Sequence, residues 1–277
     1  MTKPLVRSLA LAAAFAVSAA AANSSFAATV TIEHVISPTS IVLASSGTRK
    51  VVTLAGKPVF YCGLTAFSKW AAPLAGQRVS STPETGMTVA IDSRPTSLEQ
   101  MLVARGWLEP TQLDDDAEAA ITEGRGGWAC ASATTPFELM HTSVDPKVLA
   151  GIALNESGLN GRAWPWTLNV AGQGFFFRSR MDAYRAIQSL IAAGRNDFDV
   201  GLMQINWRCH GYRFTSAWDA LRPSTNIRVA EIILNENYSR THSVAKAIAW
   251  YHSANPAPGQ AYLARFARHL NQIQAGL

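Results

Sequence analysis

The chain has 277 residues, 48% of them hydrophobic and 16% charged, with a formal net charge of +5. That length accommodates two domains, and so small a charge argues against nucleic acid as the partner. The three cysteines, Cys62, Cys130 and Cys209, include no pair at the short spacing of a zinc or redox site.

Residues 1–27 read as an export signal: Lys3 and Arg7, a mostly apolar run over 9–22, then small residues ending in Phe26-Ala27-Ala28. The run is too short to span a bilayer comfortably, so a soluble, exported, periplasmic protein cleaved after Ala27 is expected, with no transmembrane span once mature. Loss of Lys3 and Arg7 leaves a charge of +3, compatible with an anionic polymer such as the cell wall. In an oxidising compartment one disulfide and one leftover thiol is the simplest arithmetic, and the expected pair is Cys62 with Cys130.

Residues 29–36, 40–44, 49–55 and 87–92 are rich in Val, Ile and Thr, with turn formers such as Ser37-Pro38, Ser46-Gly47 and Glu84-Thr85-Gly86 between several of them. Two helical patterns follow, 97–105 before Gly106 and 114–123 before Gly124. Strands followed by helices predict a small α+β barrel over residues 28–132. Asp114-Asp115-Asp116 reads as an acidic helix N-terminus favoured by the dipole, since consecutive helical residues point apart and cannot share a metal.

The element order, with Val35-Ile36-Ser37-Pro38-Thr39-Ser40-Ile41, Leu54-Ala55-Gly56, Leu102-Val103-Ala104-Arg105-Gly106-Trp107 and Gly126-Gly127-Trp128, resembles the thermonuclease-like OB-fold family over about 100 residues. Where that family carries two Asp around the first turn this chain has Ser37 and Thr39. Its Arg ahead of Leu-x-Gly is replaced by Thr53, and its Asp-Ala-Pro-Glu segment by Pro58-Val59-Phe60-Tyr61. Without those carboxylates nothing holds a hard divalent cation, and without the Arg nothing stabilises charge on a phosphate. A degenerate domain kept for binding, positioning or folding support is the expectation. An Ala- and Thr-rich stretch over 131–136 reads as a linker.

The second half, residues 133–277, opens on Asp145-Pro146, a capping side chain followed by the residue that loses least at a first helical position. From there Leu149, Ile152, Ala153 and Glu156 fall at i, i+3, i+4 and i+7, so the only carboxylate of the helix body shares its apolar face. Gly158 is placed to end the helix. A carboxyl at the edge of an apolar face loses solvation when ionised, holds its proton to higher pH, and so suits a general acid. Residues 164–177 read as a β-hairpin around Ala171-Gly172-Gln173-Gly174, followed by a helix over 180–193. Further helices begin near Pro223, with Ile227, Ala230, Leu234 and Tyr238 on one face, and end with Tyr262, Phe266, Leu270 and Ile273 on one face; Arg265 and Arg268 lie off that stripe. His210, His242 and His269 show no metal spacing.

Glu156-Ser157-Gly158, Gly201-Leu202-Met203-Gln204 and Ala249-Trp250-Tyr251-His252-Ser253 stand in the order and approximate spacing of the soluble lytic transglycosylases, and this half resembles that family. The resemblance implies a mainly α lysozyme-like fold, shared with goose-type lysozymes, and no metal or organic cofactor. It implies cleavage of the β-1,4 bond between MurNAc and GlcNAc in peptidoglycan strands, leaving 1,6-anhydromuramic acid ends. Glu156 would be the acid and then the base, with Tyr251 beside it orienting or polarising the reacting group. His252 replaces the Asn usual after that Tyr and reads first as a packed or hydrogen-bonded histidine. Ser157, Gly201, Met203, Gln204 and Asn206 would serve substrate binding, Gly201 by close backbone approach and Met203 as the cleft floor. Trp164, Trp166 and Trp207 offer faces on which sugars stack, or else core packing. Two rivals remain: a goose-type lysozyme-like hydrolase in which Asp197 or Asp199 holds a water, and a non-catalytic wall-binding or scaffold protein. The extra N-terminal domain suggests docking onto a secretion or conjugation apparatus as a further partner.

Overall fold

In the computed structural model, which describes residues 28–82, 86–91 and 94–276, the N-terminal half is built outward from β1 (Ala28–Ser37). The expected export signal lies outside the described residues. β1 pairs antiparallel with β2 (Ser40–Ser45), which carries β3 (Thr48–Thr53) on its far side. After helix α1 (Gly63–Ala71), β4 (Arg78–Thr82) returns to the other edge of β1, followed by β5 (Gly86–Ile91) and β6 (Arg94–Ser97), to give the order β3-β2-β1-β4-β5-β6.

Among the described residues the sheet does not close into the expected barrel. Among the described residues β3 and β6 are unpaired edges. Thr48, Arg49, Lys50 and Val51 of β3 are exposed, and a solvated, charged edge gives a closing strand no apolar face to pack on. α1, which the sequence pattern did not suggest, covers the sheet instead: its Phe67 is fully buried beside Trp70 and Trp107, with ring centroids 5.9 and 5.4 Å away.

α2 (Leu98–Ala104) and α3 (Asp115–Glu123) follow. Asp114 Oδ1 accepts from the Ala117 amide at 2.8 Å, and the left-handed Gly124 (φ 68°) closes α3. α3 belongs to both halves: Ala119 packs into the C-terminal core, while Ala120 and Ile121 join Val59 and Trp128 in a small cluster between the two main cores. The stretch expected as a linker is packed as well. Thr134, Thr135 and Pro136 are buried, and α4 (Thr135–Leu139) starts inside it, with Thr134 Oγ1 donating to Glu138 Oε1 at 2.7 Å. Ser and Thr hydroxyls here make local hydrogen bonds rather than free coil. Cys62 and Cys130 form a disulfide that ties the start of α1 to the 3₁₀ turn Gly126–Cys130, and Cys209 is free and exposed.

The C-terminal half wraps around α5 (Pro146–Ser157), whose first turn is capped by Asp145 Oδ1 accepting from the Lys147 amide at 2.8 Å. Leu149, Ile152 and Ala153 are buried. A ribbon of β7 (Gly158–Leu159) and β8 (Arg162–Ala163) follows, then the hairpin of β9 (Thr167–Val170) and β10 (Gln173–Phe176). Ala171 and Gly172 both take positive φ, 54° and 84°, as a two-residue hairpin turn with right-handed strand twist requires. After α6 (Arg180–Ala192), β11 (Phe198–Val200) and β12 (Ile205–Asn206) complete the sheet β10-β9-β11-β12. The short α7 (Trp207–His210) and α8 (Ala217–Ala220) lead to α9 (Pro223–Thr241), α10 (Val244–His252) and α11 (Pro256–Gln274). α11 lies close against α5 at Gly151, where an added Cβ would stand 2.8 Å from the Phe266 ring. Tyr238 of α9, expected on the apolar face, is 48% exposed. No described helix is long and apolar enough to cross a membrane.

α9 has no capping side chain of its own, and α3 supplies one. Glu118, 1% exposed, accepts from Ser224 N at 2.9 Å, Ser224 Oγ at 2.7 Å and Arg222 Nε at 2.9 Å. A carboxylate on the first amides of a 19-residue helix meets the positive end of its dipole. Glu118→Ala leaves those donors unpaired and is expected to lower unfolding stability by about 2–3 kcal/mol. Urea unfolding midpoints check this, and an unchanged midpoint would refute the capping role.

Candidate active site

Glu156 sits in the last turn of α5, where the apolar stripe of that helix meets an open cleft of about 400 Å³. The chain leaves the helix through Gly158 without a left-handed turn (φ −60°) and enters β7 directly. Glycine is required there for another reason: a Cβ would lie 2.4 Å from the Leu154 carbonyl oxygen. Asp199, Gln204, Asn206, Tyr251 and His252 line the same cleft. β11, β12, the 201–204 turn and α10 therefore converge on the end of α5.

Burial raises the Glu156 pKa from 4.5 to about 7; the Tyr262 hydroxyl opposes the rise, the negative charge of Asp199 adds to it, and Arg265 opposes it. Tyr262, on α11, is 1% exposed, and its hydroxyl stands near both Glu156 and Asn155 without an aligned hydrogen-bond partner. Tyr251 donates its hydroxyl to the Met203 carbonyl at 2.8 Å. Burial, then the nearby Glu156 charge, holds both phenols well above their ordinary pKa, with Asp199 adding at Tyr251 and Tyr251 adding at Tyr262, so both stay protonated.

The Gly201-Leu202-Met203-Gln204 turn is held from beneath by Asn226 of α9. This 1% exposed side chain accepts from Met203 N at 2.7 Å and donates to Val200 O at 3.0 Å and Ala220 O at 2.9 Å. Gly201 is buried at φ +80°, and a Cβ there would lie 2.6 Å from Asn226 Nδ2. Its glycine is explained by contact with Asn226 and by its backbone angle. Met203 is fully buried. Ser157 is 1% exposed and donates to Ala153 O and Leu202 O at 3.1 and 2.6 Å, tying α5 to the same turn.

Gln204 takes a left-handed φ of 48°, uncommon for a residue with a side chain. Its Nε2 donates to Thr167 Oγ1 and Gly201 O, both at 2.8 Å, which leaves Oε1 as the acceptor it can offer a ligand. Asn206 Oδ1 caps α7 through Cys209 N at 3.1 Å, and its Nδ2 donates to Asp199 Oδ1 at 2.8 Å. Burial raises the Asp199 pKa and the Asn206 bond opposes the rise.

Of the residues expected from sequence, Glu156, Gln204, Asn206 and Tyr251 share the cleft. The three tryptophans have packing roles. Trp166 is 2% exposed with Nε1 bonded to Glu123 Oε1 at 2.7 Å, and Trp164 Nε1 donates to Phe177 O at 2.8 Å. Trp207 is stacked between Phe198 and Phe214, at 5.6 and 6.3 Å. Asp197 is exposed and paired with Arg195, at 3.1 and 3.2 Å, so only Asp199 of the two candidate partner carboxylates faces Glu156. Tyr262 and Asn226 were not anticipated: Tyr262 reads as one more apolar-stripe residue of α11, and Asn226 carries no signal beyond being a polar residue among buried helix positions. Among the described residues no group of His, Cys, Asp and Glu is arranged to hold a metal ion.

Residues 138–263 match the family model described as Transglycosylase SLT domain. The match spans α5 through the Tyr262 turn of α11 and supports a lytic transglycosylase-type, peptidoglycan-cleaving domain in this half of the chain. No curated protein and no solved structure matches the chain.

Proposed function

We propose that the protein is an exported lytic transglycosylase that cleaves the β-1,4 bond between MurNAc and GlcNAc and leaves 1,6-anhydromuramic acid ends. The observation that carries the reading is one half-buried carboxyl, Glu156, with a pKa of about 7 at the end of a cleft lined by amide and hydroxyl groups. Protonated Glu156 gives its proton to the glycosidic oxygen as the C1–O bond breaks. The resulting carboxylate takes the proton of the muramoyl 6-hydroxyl, whose oxygen closes on C1. No water is consumed, and Glu156 ends protonated. Tyr262, held protonated beside it, stabilises the carboxylate between the two transfers, while Tyr251, whose hydroxyl is donated to the Met203 carbonyl, fixes the 201–204 turn against the site. Gln204 and Asn206 are assigned to sugar hydroxyls and N-acetyl groups. Residues 133–277 carry fourteen Lys and Arg against nine Asp and Glu, a positive field suited to an anionic polymer.

Because the first step needs the acid form, kcat is expected to be highest below pH 7 and to fall about tenfold per unit above it. The pH profile on purified peptidoglycan checks this, and a rate still rising at pH 8 contradicts it.

Asp199 favours a second reading, a goose-type lysozyme-like hydrolase in which it orients a water. Mass spectrometry of the soluble muropeptides separates the two: anhydro ends support transglycosylation, and reducing ends support hydrolysis. The reading assigns the N-terminal half no role beyond supporting α9 through Glu118. The secretion or conjugation apparatus suggested as its partner is not part of it.

A further inference from the structure

The phenol of Tyr262 stands near Glu156 and Asn155 but meets neither in full hydrogen-bond geometry, so the packing of its ring helps decide where the hydroxyl stands. Two groups cover that ring. The His252 imidazole stacks on it with centroids 5.0 Å apart and planes 4° from parallel, and the Arg265 guanidinium lies 5.8 Å from its centroid. Arg265 is exposed at the end of a long flexible stem, tethered through Nε to Asn155 Oδ1 at 3.2 Å. His252 is a rigid ring in the last position of α10, open to solvent on its outer side, with Tyr262 1% exposed beneath it. An amide, which the resemblance leads one to expect at position 252, has no ring face to cover a phenol in this way.

We infer that His252 is a positioning residue: its ring clamps Tyr262 so that the phenol hydroxyl stays against the Glu156 carboxyl. The inference rests on Glu156 being the proton donor and extends that reading to what sets its proton affinity. The charged and titratable groups around the pair are Asp199 from β11, Arg265 and Tyr262 from α11, Tyr251 from α10 and Glu156 itself from α5. Burial, then Arg265, lowers the His252 pKa, with Asp199 opposing. The lowered pKa favours the neutral imidazole; what positive charge it carries lowers the Asp199 pKa, and the Tyr262→Phe background below separates that route from the position of the phenol. Because the Tyr262 hydroxyl lowers the Glu156 pKa, a phenol released from the stack leaves Glu156 holding its proton to higher pH.

The test is an NMR titration of the Glu156 carboxyl in the full mature chain labelled with carboxyl-¹³C glutamate, the resonance assigned by its loss in Glu156→Gln. His252→Asn, which removes the ring face at similar volume, is expected to raise the midpoint by about half a unit or more. His252→Phe, which keeps a ring face, should hold it at the wild-type value. In a Tyr262→Phe background His252→Asn should shift nothing further. On peptidoglycan, His252→Asn should lower kcat about tenfold with KM changed less than about twofold, and the alkaline limb should move with the midpoint. An unmoved or lowered midpoint in His252→Asn, an equal displacement in His252→Phe, or an undiminished displacement without the Tyr262 hydroxyl would overturn the inference. The titration needs no turnover. A wild type that does not cleave peptidoglycan therefore defeats the proposed function and leaves the positioning role to be decided by the midpoints.

Discussion

Glu156→Gln is expected to reduce activity on peptidoglycan by about 10³-fold or more, since the amide has nearly the shape of the acid but neither donates a proton nor accepts one. The same change should leave the fold intact and make it more stable above neutral pH. The sign follows from the raised pKa: the folded state binds the Glu156 proton more tightly than an unfolded chain does. That contribution is fully present below about pH 4.5 and is lost as pH rises through about 7. A neutral Gln avoids the loss, so the variant should gain at most about 3 kcal/mol at pH 8 and nothing at pH 4. Denaturant unfolding at the two pH values checks the expectation. A stability gain equal at both pH values would mean that Glu156 is not held in its proton-retaining environment.

Asn226→Ala carries the largest structural penalty expected in the molecule, about 3–5 kcal/mol. It leaves the amide of Met203 and the carbonyls of Val200 and Ala220 unpaired in a fully buried place, and it opens a gap under Gly201. The loss reaches the cleft by two routes. The Met203 carbonyl anchors Tyr251 at 2.8 Å, and Gln204 keeps its left-handed backbone only while the turn is held. Surviving folded protein should therefore lose kcat as well as thermal stability. Thermal unfolding with kinetics on the folded fraction measures both; a variant with wild-type melting behaviour would show that α9 does not support the turn.

How legible these features were in the sequence depends on whether the signal is local. The Asp145-Pro146 start of α5 and the placing of Glu156 on its apolar face follow from capping and from the helical period. Both can be read over a dozen residues. The hairpin around Ala171-Gly172-Gln173-Gly174 is local in the same sense, although only Ala171 and Gly172 form its turn and Gln173 and Gly174 belong to β10. Roles set by distant partners were not legible. Trp166 reads either as a sugar platform or as core packing until Glu123, 43 residues earlier, takes its indole N–H and decides for the core. Gly201 reads as a site of ligand approach until Asn226 fills the space beside it. Tyr262 is indistinguishable by spacing from Phe266, yet only its ring carries a hydroxyl to Glu156.

The N-terminal half shows the same limit at the scale of a sheet. Individual strands were visible, but closure depends on whether two edges meet, and the exposed charged face of β3 leaves the described sheet open. The Ala- and Thr-rich stretch over 131–136 has the composition of a linker. It is packed because α3, on its N-terminal side, caps α9 of the other half through Glu118 and binds both halves across it.

The most direct test of the account is digestion of purified peptidoglycan in H₂¹⁸O by the mature protein and by Asp199→Asn, with mass spectrometry of the released ends. If Glu156 alone serves as acid and then base, the products of both proteins carry 1,6-anhydromuramic acid ends and no ¹⁸O. Label at C1 of reducing ends, lost in Asp199→Asn, would contradict it and make the enzyme a two-carboxylate hydrolase.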